Sequence, residues 1–128
     1  MKKNYISLAT RSANIQINEL KKIKKVFNTS FVKAVDQILN CKGKVIFAGI
    51  GKSGLIARKI SATFSSVGIP SFFCDPAQAL HGDMGQIEKK DILIIFSYSG
   101  NTAELNNMLK YANRFRIRII GIASKPDS

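Results

Sequence analysis

"VIFAGIGKSGLIARK", residues Val45 to Lys59, decides the fold: an apolar, partly β-branched run passes through three glycines into helix-forming residues. A strand-to-helix turn of this kind aims backbone N–H groups at a helix N-terminus and suits a bound phosphate. Three phosphate-binding patterns compete for it. A Walker loop ends as Gly51-Lys52-Ser53 does, but its first glycine would fall on Ile46 inside the strand, which excludes that pattern. The dinucleotide pattern G-x-G-x-x-G is spelled by Gly49, Gly51 and Gly54, and Asp75 closes the next apolar run, about twenty residues on, as that pattern asks. The third pattern is a sugar-phosphate site, where two strand-to-helix turns converge on one dianion. It needs a second, hydroxyl-rich turn.

"IIFSYSGNTAE", residues 94–104, supplies that turn, with Ser97, Ser99 and Thr102 around Gly100 ahead of a helix. Three short hydroxyl donors ring a phosphate with hydrogen bonds strengthened by its charge. The competing role for these residues is to end a strand and cap a helix. A dinucleotide site does not call for such a cluster, so the pair of turns favours sugar phosphate.

Working outward, "KVIFAGI", "PSFFCD", "DILIIFS" and "IRIIGIA" are near-continuous apolar runs of strand length, the mark of parallel strands covered on both faces. "KSGLIARKISATFSSVG" and "NTAELNNMLKYANRF" are helices between them, and Gly68 with Pro70 stops the first. "CDPAQALHGDMGQIEKK" reads as an irregular crossover. The alternation predicts an α/β fold, a three-layer αβα sandwich around a doubly wound, mostly parallel sheet, with ligands at the carboxyl ends of the strands. The chain stops after its fourth strand, so the sheet is expected to be incomplete at the C-terminus.

Residues 1–40 read as a helical preface belonging to the same domain, and residues 41–128 as the core. One helix is predicted from Leu8 to Phe27 and another in "NTSFVKAVDQILNC", where Asn28, Thr29 or Ser30 caps and Phe31, Val32, Val35, Ile38 and Leu39 mark the inward face.

The net charge of +12 is concentrated, because residues 1–59 carry +11 of it. "LKKIKKVF" sets Lys21, Lys22, Lys24 and Lys25 mostly away from Leu20, Ile23 and Phe27, as a solvated helix face does, and no aromatic platform sits among the lysines. A nucleic-acid partner is not expected. No apolar run reaches membrane-span length and no signal-peptide core follows the N-terminus, so the protein is read as cytoplasmic with no membrane partner. Cys41 and Cys74 lack CxxC spacing and read as reduced structural thiols. Asp75, His81 and Asp83 are too irregularly spaced for a metal site, and none is predicted.

With both turns in hand, "CKGKVIFAGIGKSGLIARKISATFSSVGIPSFFCDPAQALHGDMGQIEKKDILIIFSYSGNTAEL", Cys41 to Leu105, resembles the sugar isomerase (SIS) domain family and its D-arabinose 5-phosphate isomerase branch. The resemblance implies a flavodoxin-like SIS fold, no cofactor, assembly as a homodimer or homotetramer, and interconversion of D-ribulose 5-phosphate and D-arabinose 5-phosphate, a step toward the lipopolysaccharide sugar acid Kdo. It also implies site roles: Gly51, Ser53, Ser97, Ser99, Gly100 and Thr102 around the substrate phosphate, and Lys52, Glu104 and His81 facing the sugar. The family usually has an acidic residue where this chain has Asn101. A second glutamate, a histidine and the paired CBS modules of the branch do not fall within residues 1–128. The alternative reading is a sugar-phosphate-binding or sensing SIS domain, or a remnant without catalysis.

Overall fold

Asn4, not Leu8, starts the first helix, because its side chain accepts a hydrogen bond from the Ser7 N–H at 3.0 Å. Helix α1 runs over Tyr5–Lys22 and tightens into a 3₁₀ turn over Ile23–Val26, so the expected α-helix stops short of Phe27. Lys21 and Lys22 occupy its last turn, where cations complement the helix dipole. Asn28 caps helix α2, Thr29–Leu39, through its side-chain oxygen to the Ser30 and Phe31 N–H groups. Of the periodic positions in α2, Val35 and Ile38 are half-buried, whereas Phe31, Val32 and Leu39 are exposed, so only part of the predicted face is covered. The computed structural model describes residues 4–125, in two compact units that divide between Asp36 and Gln37.

The second unit is built on four strands: β1 (Val45–Gly49), β2 (Ser71–Phe73), β3 (Ile92–Ser97) and β4 (Arg118–Ala123). All pairings are parallel and the spatial order is β2-β1-β3-β4. Alternation of side chains divides the core in two. Val45, Phe47, Ile92 and Ile94 point to the face covered by helix α3 (Gly51–Ser66), meeting Ala57, Ile60 and Phe64. Ile46, Ala48, Leu93 and Ile95 point to the other face, meeting Ala79 of the short helix α4 (Pro76–Ala79) and Leu105, Met108 and Ala112 of helix α5 (Ala103–Arg114). Each fully buried aliphatic or aromatic side chain here stabilises by about 1.5–3 kcal/mol. The result is the three-layer, doubly wound arrangement the sequence implied. The expected irregular crossover holds α4 and a 3₁₀ turn over Asp83–Gln86; the Asp75-Pro76 pair, an N-cap followed by proline, is what starts α4.

The end of the sheet opposite the glycine turn is locked by Asp91. Its carboxylate is fully buried, accepts from the Lys44 N–H at 2.7 Å and the Glu88 N–H at 2.8 Å, and meets the Lys44 ammonium at 3.2 Å. Gly43 passes so close that a Cβ there would lie 2.1 Å from the Asp91 oxygen. Strands β1 and β3 thus share one charged anchor at their starts.

Helices α3 and α5 end in the same Schellman geometry with different residues. After α3, Gly68 takes φ +87, its N–H bonds Ser65 O, and the Ile69 N–H reaches Phe64 O. After α5, Arg116 takes φ +55, with Arg116 N–H to Asn113 O and Ile117 N–H to Ala112 O at 2.8 Å. Burial of Ile117 holds Arg116 in a conformation that costs a non-glycine residue about 1–2 kcal/mol.

Two stability outcomes follow from these anchors, both read by urea unfolding. Arg116→Gly raises stability by roughly 0.5–1 kcal/mol, the relieved strain less the added chain entropy. Asp91→Ala lowers it by about 2–3 kcal/mol, since it leaves the Lys44 and Glu88 N–H groups without their acceptor, while Lys44 keeps its ion pair with Glu88.

Candidate functional site at the strand tips

Strand β1 hands the chain leftward through α3 to β2, while β3 hands it rightward through α5 to β4. The order β2-β1-β3-β4 therefore reverses between β1 and β3, and the crevice at a reversal is where open α/β sheets take ligands. Gly49 pairs with Phe96 in the register, so the two turns leave neighbouring strand tips at the same level.

The first turn is shaped by close approach. A Cβ on Gly54 would lie 2.5 Å from the Gly49 carbonyl oxygen, and one on Gly49 would lie 2.9 Å from the Ser53 backbone. Strand and helix can pack this tightly only because both positions lack side chains. Gly51 between them takes φ +58 and faces open space. Helix α3 consequently begins at Gly51 with Ile50 at the N-cap position, which supplies no side-chain oxygen. Lys52 lies exposed and Ser53 half-buried in an uncapped first turn, where the helix dipole favours an anion.

The second turn is a knot of hydroxyls. The buried Ser97 Oγ accepts from the Gly100 N–H at 3.0 Å and lies 3.2 Å from Thr102 Oγ1. Ser99 Oγ accepts from the Asn101 N–H at 3.3 Å. Gly100 bends the loop with φ +73. Since the oxygens accept from backbone, the Ser99 O–H and one of the Ser97 and Thr102 protons remain for an incoming anion. Thr102 stands at the N-cap position of α5, yet its hydroxyl makes no capping bond to the helix, so the capping role weighed for this cluster is not the one it takes. Glu104 lies exposed in the first turn of α5.

The structure thus links Ser97, Gly100 and Thr102 by direct hydrogen bonds, with Ser99 in the same turn bonded to the Asn101 N–H, and sets Gly51, Lys52 and Ser53 on the adjoining tip. His81 makes no hydrogen bond to either turn among the described residues: it is exposed after α4, with its backbone N–H bonded to Gln78 O. Asp75, read from sequence as closing a strand, accepts from the Ala77 N–H at 2.9 Å as the N-cap of α4. Cys74 is buried, and its thiol is pushed up to about 11 by burial and then by the Asp83 and Asp75 charges. Among the described residues no three of His, Cys, Asp or Glu gather as a metal cage, and no helix is long and apolar enough to cross a membrane.

One feature escaped the sequence reading. A cavity of about 270 Å³ opens beside the first turn on the β2 side, with Arg58 and Asp75 in its wall. None of its lining comes from the Ser97–Thr102 turn. Arg58 is one helical turn beyond Gly54, a spacing that places it on the α3 face toward β2, but nothing in the sequence singles out that arginine among its basic neighbours.

Comparison with known proteins adds three findings. The SIS domain model matches residues 38–128. The arabinose 5-phosphate isomerase GutQ of Escherichia coli K12 is 38% identical over the whole chain, which covers 40% of that relative. Among solved structures, the E. coli CFT073 protein c3406 in complex with arabinose 5-phosphate is 38% identical over 98% of this chain and 68% of its own, with a TM-score of 0.83; a Listeria monocytogenes protein reaches 0.93 at 32% identity, covering all of this chain and 68% of its own. The chain spans about two fifths of the length of the curated relatives it matches.

The glycine geometry yields a graded outcome. Gly54→Ala destabilises by about 1–3 kcal/mol through overpacking against β1, and Gly51→Ala by about 1–2 kcal/mol through its positive φ alone, measured by urea unfolding. Alkylation by iodoacetamide at pH 8 should spare Cys74 in the folded protein and modify it on denaturation, as mass spectrometry would read.

Proposed function

The chain belongs to the SIS domain family, and from that premise we propose that it carries the phosphate-binding turns of an aldose-ketose isomerase acting on D-arabinose 5-phosphate and D-ribulose 5-phosphate. The observation that carries this reading is the hydroxyl knot of Ser97, Ser99 and Thr102 beside an uncapped helix start at the sheet's reversal point. The relatives named arabinose 5-phosphate isomerase and the related structure holding arabinose 5-phosphate support the choice of sugar.

In this reading the phosphate dianion sits between the turns. Backbone N–H groups at the start of α3, the hydroxyls of Ser53 and Ser99 and one of the paired Ser97 and Thr102 hydroxyls donate to it, while Gly51 and Gly100 let the backbone approach. The reaction then needs one proton moved between neighbouring carbons. The Glu104 carboxylate takes it from the carbon beside the carbonyl and returns it to the adjacent carbon. The Lys52 ammonium steadies the negative oxygen of the enediolate between those events. His81 relays the hydroxyl proton. Nothing is oxidised or reduced overall, so the balance closes without a cofactor. The protein works in the cytoplasm as a homo-oligomer, and its product feeds Kdo synthesis.

Incubation with ribulose 5-phosphate, followed by NMR, should show arabinose 5-phosphate forming. Glu104→Gln lowers kcat by about 10²–10⁴-fold with little change in KM. Ser97→Ala raises KM roughly tenfold, the loss of one charge-assisted hydrogen bond. Absence of both turnover and pentose-phosphate binding in the wild type would overturn the reading.

A further inference from the structure

Between the end of β3 and the start of α5, hydrogen bonds tie the chain to another segment at one place among the described residues. Ser97 and Ala123 form the last pair between β3 and β4. One residue further along each strand, the Tyr98 carbonyl oxygen accepts twice from Ser124, from its hydroxyl at 2.5 Å and from its backbone N–H at 3.2 Å. A carbonyl oxygen has two lone pairs, and a single residue takes both. The other hydrogen bonds of residues 98–101 stay inside the turn, from the Gly100 N–H to Ser97 Oγ and from the Asn101 N–H to Ser99 Oγ. Packing adds little hold there, because the Tyr98 side chain is 82% exposed.

The orientation of that carbonyl decides what the rest of its peptide can do. No described peptide bond is cis, and the C=O and N–H of a trans peptide point in opposite directions. Strands β4 and β1 flank β3 on opposite sides. With the Tyr98 carbonyl drawn to the tip of β4, the Ser99 N–H of the same peptide points away from β4, to the side where β1 and its glycine turn lie. That N–H has no hydrogen-bond partner among the described residues. Released from Ser124, the peptide is free to turn over, which would replace a donor that attracts an anion by a carbonyl that repels it.

We propose that Ser124 is a positioning residue for the phosphate: its paired hydrogen bonds to Tyr98 hold the 98–99 peptide in the orientation that lets the Ser99 N–H, beside the Ser99 hydroxyl, donate into the crevice. The proposal rests on the sugar-phosphate reading above. Ser124 itself touches no ligand. It acts through the fraction of molecules whose turn is ready to bind, and apparent affinity scales with that fraction.

The test is calorimetric binding of inorganic phosphate and of arabinose 5-phosphate to the wild type, Ser124→Ala and Ser124→Thr, together with the amide NMR signal of Ser99. Ser124→Ala should weaken both probes by roughly three- to tenfold, the worth of one hydrogen bond. Ser124→Thr, which keeps the hydroxyl, should bind both as the wild type does. Saturating phosphate should move the wild-type Ser99 amide proton downfield, and in Ser124→Ala by less. Wild-type affinity in Ser124→Ala, equal weakening in Ser124→Thr, or a Ser99 amide that phosphate leaves in place each overturns the proposal while the sugar-phosphate reading stands. A wild type that binds neither probe overturns that reading, and this proposal with it.

Discussion

The approach of helix α3 to strand β1 is the constraint on which the rest depends. With the Gly49 carbonyl 2.5 Å from where a Gly54 Cβ would stand, strand and helix meet backbone to backbone. That contact pulls the helix start into line with the strand tip, so the uncapped N–H groups project past the sheet edge. It also lets Ala57, fully buried, seat against the core beneath Phe47 and Ile94. A side chain at either glycine would lift the helix, and the first turn would lose both its packing and its aim.

The two ends of the sheet are built for opposite purposes. At the starts of β1 and β3 a buried carboxylate accepts from the Lys44 and Glu88 N–H groups, with the Lys44 charge beside it. At the finishing ends the donors are left incomplete: a helix start without a side-chain cap, the Ser99 hydroxyl proton, and one of the Ser97 and Thr102 protons. Unsatisfied polar groups are costly when buried, and these are tolerable because the two turns border solvent, with Gly51, Lys52 and Ser99 exposed.

The crevice and the cavity lie on either side of β1, and the glycine turn belongs to both.

Much of this was legible in the chain. The apolar runs gave parallel strands because strands covered on both faces have no polar side to show, and the Gly49-Gly51-Gly54 and Ser97-Ser99-Thr102 turns are local patterns fixed by local geometry. The start of α1 at Asn4 and of α4 at Asp75 are capping signals of the same local kind, present in the sequence but passed over. What the sequence could not decide was which groups meet across the sheet. Whether Thr102 caps its helix or bonds Ser97, whether Asp91 is an exposed acid or the buried clasp of two strands, and whether Arg58 reaches the same space as Asp75 depend on strand order and helix seating. Those are settled by packing between segments distant in the chain, because a side chain's partner is set by the tertiary neighbours it is pressed against and not by the residues beside it.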